Sequence, residues 1–133
     1  MSPLVIALAL VAGMLGALAR YGITRAVARR WPHALTRAVL IVNVIGSVIA
    51  GALTGAIYGA AADIHYVLVS GLAGGLTTFS TWSVESIQLV LSGRTGAAVR
   101  NVAANLGWGL LAGFSAMVVA GWVSAIGWLV TLT

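Results

Sequence analysis

The chain is predicted to be an all-α membrane protein of four transmembrane helices, the third broken partway across the bilayer. Three observations carry this reading. Of its 133 residues, 61% are hydrophobic and 7% charged, with a mean hydropathy of +1.08. Soluble domains carry about 25% charged residues, so this chain cannot cover its surface with polar groups. Its apolar residues gather into four runs, each meeting the roughly 20 residues that a spanning helix needs. The third run contains Gly71-Leu72-Ala73-Gly74-Gly75-Leu76-Thr77-Thr78-Phe79-Ser80-Thr81-Trp82-Ser83-Val84-Glu85, in which glycines, hydroxyls, two aromatics and one of only two acids interrupt sequence otherwise fit for lipid. A bilayer penalises loose backbone and ionisable groups heavily, which marks this cluster as functional.

The elements follow in order within a single domain, residues 1–133. The first span runs from Pro3 to about Arg25. Ala17-Leu18-Ala19 imitates a cleavage site, but the basic region that precedes a signal core is missing and the arginines follow the apolar run, so the span is expected to be retained. The second covers Ala38 to Ala62 and the third Tyr66 to about Leu91. The fourth covers Ala97 to Val123, with a tail to Thr133, and has no charge beyond Arg100. Breaks are expected at Trp31-Pro32-His33, at Asp63-Ile64-His65 and at Ser92-Gly93-Arg94-Thr95-Gly96.

Charge is distributed unevenly along this plan. All seven basic residues are arginines, Arg20, Arg25, Arg29, Arg30, Arg37, Arg94 and Arg100, and with four spans all fall at or near the first and third loops. The second loop offers only Asp63. The positive-inside rule places the arginine loops in the cytoplasm and both termini outside. A net charge of +5 could suggest nucleic acid, but these arginines lie between apolar runs rather than along a polar face, so no nucleic-acid partner is expected. The chain has no cysteine, which excludes disulfides and thiolate metal sites, and it carries no HExxH, GxSxG or P-loop, so enzymatic activity is not expected.

Small residues recur at helical spacing: Ala9, Gly13 and Ala17; Gly51, Gly55 and Gly59; Gly109 and Gly113. Lipid gives helices no hydrophobic drive to associate, and close backbone approach through such faces is the usual substitute. Four helices of this length enclose little space, so a pore calls for a second copy.

Several polar groups lie inside the spans. Asn43 sits mid-span in Val42-Asn43-Val44, where a buried amide must bond something. Two readings stay open: an interhelical hydrogen bond, or an anion ligand through its two N–H donors. Glu85 either pairs with an arginine such as Arg20 or Arg94 or serves function directly. Gly74 and Gly75 weaken the third helix and free backbone carbonyls, which suit a hard cation. Thr77, Thr78, Ser80, Thr81 and Ser83 supply hydroxyl donors for an anion. Phe79 and Trp82, three apart, share a helix face, and their electropositive ring edges can pass an anion through weak serial contacts. Asn101 and Asn105, one turn apart, are expected to line a wet cavity. His33 and His65 read as loop residues without metal spacing, and Asp63 as a solvated loop residue or a helix cap. The cluster reads as a broken helix lining an ion path.

With these residues in place, the segment Gly74 to Glu85 closely resembles the GGxTTFSTF-S-x-E signature of the CrcB/Fluc fluoride channels. Gly16-Ala17-Leu18-Ala19-Arg20-Tyr21 resembles that family's GALARY element, and Val42-Asn43-Val44-Ile45-Gly46 its VNxxG element. The resemblance covers nearly the whole chain. It implies an antiparallel, dual-topology dimer in the cell membrane of a prokaryote, with two fluoride pores that let fluoride leave the cell passively. It also implies a structural sodium ion held by the main-chain carbonyls of Gly74 and Thr77 from both subunits. The fluoride route would use Asn43, Phe79, Trp82, Ser80, Thr81 and a polar track ending near Glu85, with Arg20 at the aqueous vestibule.

Three positions depart from the pattern. Trp82 stands where phenylalanine is usual, Asn101 and Asn105 where tyrosine and serine are usual, and Val39 where threonine is common. A chain that inserts both ways should also have balanced loops, and this one does not. The partner is therefore either a second copy or an oppositely oriented paralogue. Two other functions fit four spans: a small multidrug-resistance-type exporter, which needs an acid in the first span where Leu4 to Ala19 has none, and a non-transporting assembly subunit, which leaves the donor cluster unexplained.

Overall fold

The computed structural model describes residues 1–31, 35–57 and 61–131. Helix α1 spans Pro3–Arg30, opened by the Ser2 hydroxyl, which accepts from the Val5 N–H at 3.3 Å, and by Pro3 in the first turn. Arg29 and Arg30 lie in its last turn, where cations suit the helix dipole. Helix α2 spans Leu35–Ile57. The third span is composite: α3 (Ala62–Tyr66), a π-helical turn (Val67–Ala73), α4 (Gly74–Leu76) and, after an extended step, α5 (Phe79–Leu91). Helix α6 runs unbroken over Thr95–Thr131. The four membrane-length helical segments make this a multi-pass membrane protein.

Two expectations about boundaries change. Asp63-Ile64-His65 is not a break but lies within α3, whose first turn accepts the acid Asp63 because a helix N-terminus favours negative charge. His65 is accordingly a helical residue, and its Nε2 lies 3.1 Å from the Thr54 hydroxyl of α2. The tail after Val123 is helical as far as Thr131, in a stretch without proline or charge to stop it. Pro32, His33 and Gly59 lie outside the described residues.

The small-residue faces pair off. Helix α1 packs on the π-helical turn and α4, while α2 lies along α6. Contact is so close that a Cβ on Gly75 would run into the Gly13 backbone, and one on Gly51 into the backbone of Gly113. These approaches are van der Waals packing of backbone on backbone, the association mode open to helices in lipid. The fully buried core is correspondingly small, with Ala38, Val39 and Val42 of α2 at its centre. Most large apolar side chains face outward, as a bilayer permits.

Candidate functional site

The third span breaks at Thr77 and Thr78, whose backbones are extended (φ −78°, ψ 160° and φ −146°, ψ 116°). Local sequence explains the place. A π-helical turn brings the chain to Gly74-Gly75, poor helix formers, and two β-branched threonines follow. Helix α5 then restarts with Thr78 as its cap, the Thr78 hydroxyl accepting from the Thr81 N–H at 3.2 Å. The groups freed at Thr77 and Thr78 find partners at once. The Thr77 N–H donates to the Ala73 carbonyl at 3.1 Å and the Thr77 hydroxyl to the Gly74 carbonyl at 3.3 Å. Arg20 Nη1 of α1 donates to the Thr77 carbonyl at 2.9 Å. Asn43 of α2 takes the other side: its Oδ1 accepts from the Thr78 N–H at 2.8 Å, and its Nδ2 donates to the Thr78 carbonyl at 3.3 Å.

From Asn43 a ladder of amides runs across to α6 and back to α5. Asn43 Nδ2 donates to Asn105 Oδ1 at 2.9 Å, and Asn105 Nδ2 donates to Asn101 Oδ1 and to the Asn101 carbonyl, both at 3.1 Å. Asn101 Nδ2 donates to the Ser86 hydroxyl at 3.0 Å, which donates in turn to the Trp82 carbonyl at 2.8 Å. The direction of this ladder is fixed at both ends. The Thr78 N–H can only donate, so Asn43 must present oxygen to it, and the Asn101 carbonyl can only accept, so Asn105 must present nitrogen. Asn101 and Asn105 are 5% and 8% exposed, and Thr78 6%, so the middle of the ladder is buried, while Asn43 and Ser86 are half-buried.

Beside the break opens a cavity of about 300 Å³ that gathers Asn43, Thr77, Thr78, Phe79, Trp82 and Asn105. Phe79 and Trp82 meet edge to face, with ring centroids 5.2 Å apart and planes at 67°. Trp82 is held further by its indole N–H, which donates to the Asn101 carbonyl at 3.4 Å. Phe79 is 75% exposed on the single chain. Of the predicted site residues, Asn43, Thr77, Phe79, Trp82 and Asn105 converge on this cavity, whereas Ser80, Thr81 and Glu85 do not line it. Ser80 and Thr81 stay near through their hydroxyls, which lie 3.3 Å and 3.0 Å from the Thr78 hydroxyl. Glu85 keeps one carboxylate oxygen buried without a partner among the described residues, so its pairing with Arg20 or Arg94 is not made. Arg20 and Gly74 do not line it either: Arg20 reaches the Thr77 carbonyl from α1, while Gly74 faces Gly46, Ser47 and Ala50 of α2 across a neighbouring hollow that it shares with Thr77.

Sequence reasoning named Thr78, Phe79 and Ser80 for their side chains but missed their backbone and capping roles, and missed Ser86 altogether. Thr78 is both the cap of α5 and the group that Asn43 embraces, for which a Thr immediately ahead of a helical run was the available signal. Ser86 closes the ladder, one turn beyond Trp82 on the same face. The N–H groups of Phe79 and Ser80, in the first turn of α5, find no partner among the described residues and follow from the break itself.

Comparison with known proteins identifies the family. Residues 7–122 match the family described as CrcB-like protein, Camphor Resistance (CrcB). The chain is 40% identical over 119 residues to the fluoride-specific ion channel FluC 1 of Nocardia farcinica, covering 90% of this chain and 82% of that one. It is 39% identical to FluC of Renibacterium salmoninarum, over 75% of this chain and 86% of the other. It is 34% identical to FluC of Pseudomonas fluorescens (strain Pf0-1), over 84% and 92%. With the broken third span, its amide partner on the second and matches of this extent, the chain belongs to the CrcB family.

Proposed function

We propose that this chain is a subunit of a passive, fluoride-selective channel that lowers intracellular fluoride. The observation that carries the reading is the cavity at the break, where donors and ring edges meet in an otherwise apolar protein. Fluoride is small and strongly hydrated, so its water must be replaced by several donors together. The unpartnered N–H groups of Phe79 and Ser80 stand at the positive end of α5. The Thr78 hydroxyl gives its proton to Thr81, which leaves the Thr81 hydroxyl proton to offer. Asn43 holds the Thr78 carbonyl by a long 3.3 Å bond, which an anion could exchange. Phe79 and Trp82 add electropositive edges. Glu85 would end the polar track, and the cell membrane of a prokaryote, with the arginine loops in the cytoplasm, is the expected setting.

A structural sodium fits a second donor set at the break, beside the cavity. The Gly74 and Thr77 carbonyls are hard oxygen ligands, each already accepting one hydrogen bond and each with a second lone pair. Arg20 would share the Thr77 oxygen with the ion. Bound sodium would supply charge stabilisation to carbonyls that the helix no longer uses. Melting the purified protein in sodium and in N-methylglucamine tests this without reference to conduction: equal melting temperatures would refute it.

The channel is proposed to be an antiparallel dimer, the exposed Phe79 face being covered by the partner. Seven arginines on one side against none on the second loop favour an oppositely oriented paralogue over a second copy. Liposomes loaded with fluoride test the function: purified protein should release it at a rate far above protein-free vesicles, while chloride stays inside. Absence of release from the chain alone and from the chain paired with an oppositely charged paralogue would refute the channel. Equal labelling of terminal tags from both membrane faces, with conduction by the single chain, would refute the paralogue.

A further inference from the structure

A second polar pocket, of about 390 Å³, opens where the start of α2, the end of α5 and the first turns of α6 come together. Arg37, Arg94 and Arg100 all line it, Leu40 and Leu89 form apolar wall, and Asn101 closes the inner side. It shares no lining residue with the cavity at the break and meets it only back to back through the Asn101–Asn105 amide pair. No acid lines it. Among the described residues, arginine side chains donate hydrogen bonds only from Arg20 and Arg25, so the three guanidiniums of this pocket are uncompensated by the protein itself.

We propose that this pocket binds the phosphate headgroup of an anionic phospholipid. Three positive charges around one opening at the end of membrane-spanning helices repel one another unless an anion lies between them, and guanidinium forks match phosphate oxygens in pairs. Basic pockets between transmembrane helices take lipid headgroups on this principle. The volume fits a glycerophosphate group and is far larger than a bare halide occupies. The apolar wall at Leu40 and Leu89 supplies the surface along which an acyl chain would lie, which a free phosphate would not use.

The test is native mass spectrometry of the full-length protein in its natural oligomer, offered equal amounts of phosphatidylglycerol and phosphatidylcholine. Phosphatidylglycerol should be retained preferentially, the preference falling roughly fivefold for each arginine replaced by glutamine and about a hundredfold in the combined Arg37→Gln, Arg94→Gln, Arg100→Gln variant. Removing the same charge elsewhere, by Arg25→Gln, Arg29→Gln and Arg30→Gln, should leave the preference in place. If the combined variant fails to fold, the three single variants carry the measurement. Equal retention of the two lipids, an unchanged preference in the pocket variants, or an equal loss in the control would each overturn the proposal. Displacement of the lipid by millimolar inorganic phosphate would assign the pocket to a soluble anion and overturn it too.

Discussion

The fixed direction of the amide ladder makes an isosteric scan decisive. Replacing asparagine by aspartate changes shape hardly at all but turns two donors into acceptors. In Asn43→Asp, one carboxylate oxygen still accepts from the Thr78 N–H, but the other faces the Thr78 carbonyl and Asn105 Oδ1, both acceptors. In Asn105→Asp, one oxygen accepts from Asn43 while the other meets Asn101 Oδ1 and the Asn101 carbonyl. Each variant thus sets two acceptors against a third oxygen; the Asn101 carbonyl keeps the Trp82 indole N–H, so at about 1–3 kcal/mol per unsatisfied group a loss of about 2–6 kcal/mol is expected for Asn43→Asp and about 1–3 kcal/mol for Asn105→Asp. Asn101→Asp differs. There the changed atom meets the Ser86 hydroxyl, which can turn and donate, giving up its bond to the Trp82 carbonyl. The loss should then be nearer the 1 kcal/mol of one ordinary hydrogen bond. All three variants add the same formal charge, and Asn101 alone borders Arg37, Arg94 and Arg100, which works in the same direction as the Ser86 rotation. Unfolding in mixed detergent micelles, followed by tryptophan fluorescence and circular dichroism, gives the order. An Asn101→Asp variant less stable than Asn43→Asp or Asn105→Asp would refute the reasoning.

Three further outcomes are expected. Gly75→Ala pushes a methyl into the Gly13 backbone and should cost about 1–3 kcal/mol in the same unfolding assay, whereas Gly107→Ala, with open space around it, should be neutral or gain up to about 1 kcal/mol. Thr78→Val keeps the shape but removes the cap of α5 and should cost about 1 kcal/mol, read as an earlier melt. Trp82→Phe gives up a long 3.4 Å bond, worth less than about 1 kcal/mol, and narrows the side chain at the cavity, so fluoride efflux from liposomes should rise with little change in stability.

What could be read from the sequence follows the range of each interaction. The spans were visible because hydropathy is a property of contiguous residues, and the broken third segment because glycine and β-branched residues disfavour helix where they stand. The Asn101–Asn105 pair was visible because four residues make one turn. Asn43 was recognised as a buried amide, but its partners lie 35 and 62 residues away, and the choice between Thr78 and Asn105 rests on α2 packing along α6. Arg20 illustrates the same limit: the sequence offered a place at the vestibule or a pairing with Glu85, and close packing of α1 on the third span delivers it to a carbonyl 57 residues on. The displaced second boundary has another origin. Asp63 and His65 look like loop chemistry by composition, but a first helical turn accepts an acid, and His65 bonds across to α2.

The whole site turns on one peptide group. A trans peptide points its C=O and N–H in opposite directions, and the unit joining Thr77 to Thr78 is gripped at both ends: Arg20 donates to its oxygen at 2.9 Å, and Asn43 accepts from its nitrogen at 2.8 Å. Charge on the guanidinium draws density toward the oxygen and makes the N–H a stronger donor to Asn43, so the two contacts reinforce each other. Inside a continuous helix this peptide would have both groups committed along the axis and could face neither α1 nor α2. Breaking the helix turns it across the bundle, with a cation on one side and an amide on the other. A single extended step therefore separates a surface that attracts positive charge from one that attracts negative charge by the width of one bond system. That explains why so short a run of non-helical residues suffices, and why glycine and threonine stand where the span would otherwise be leucine.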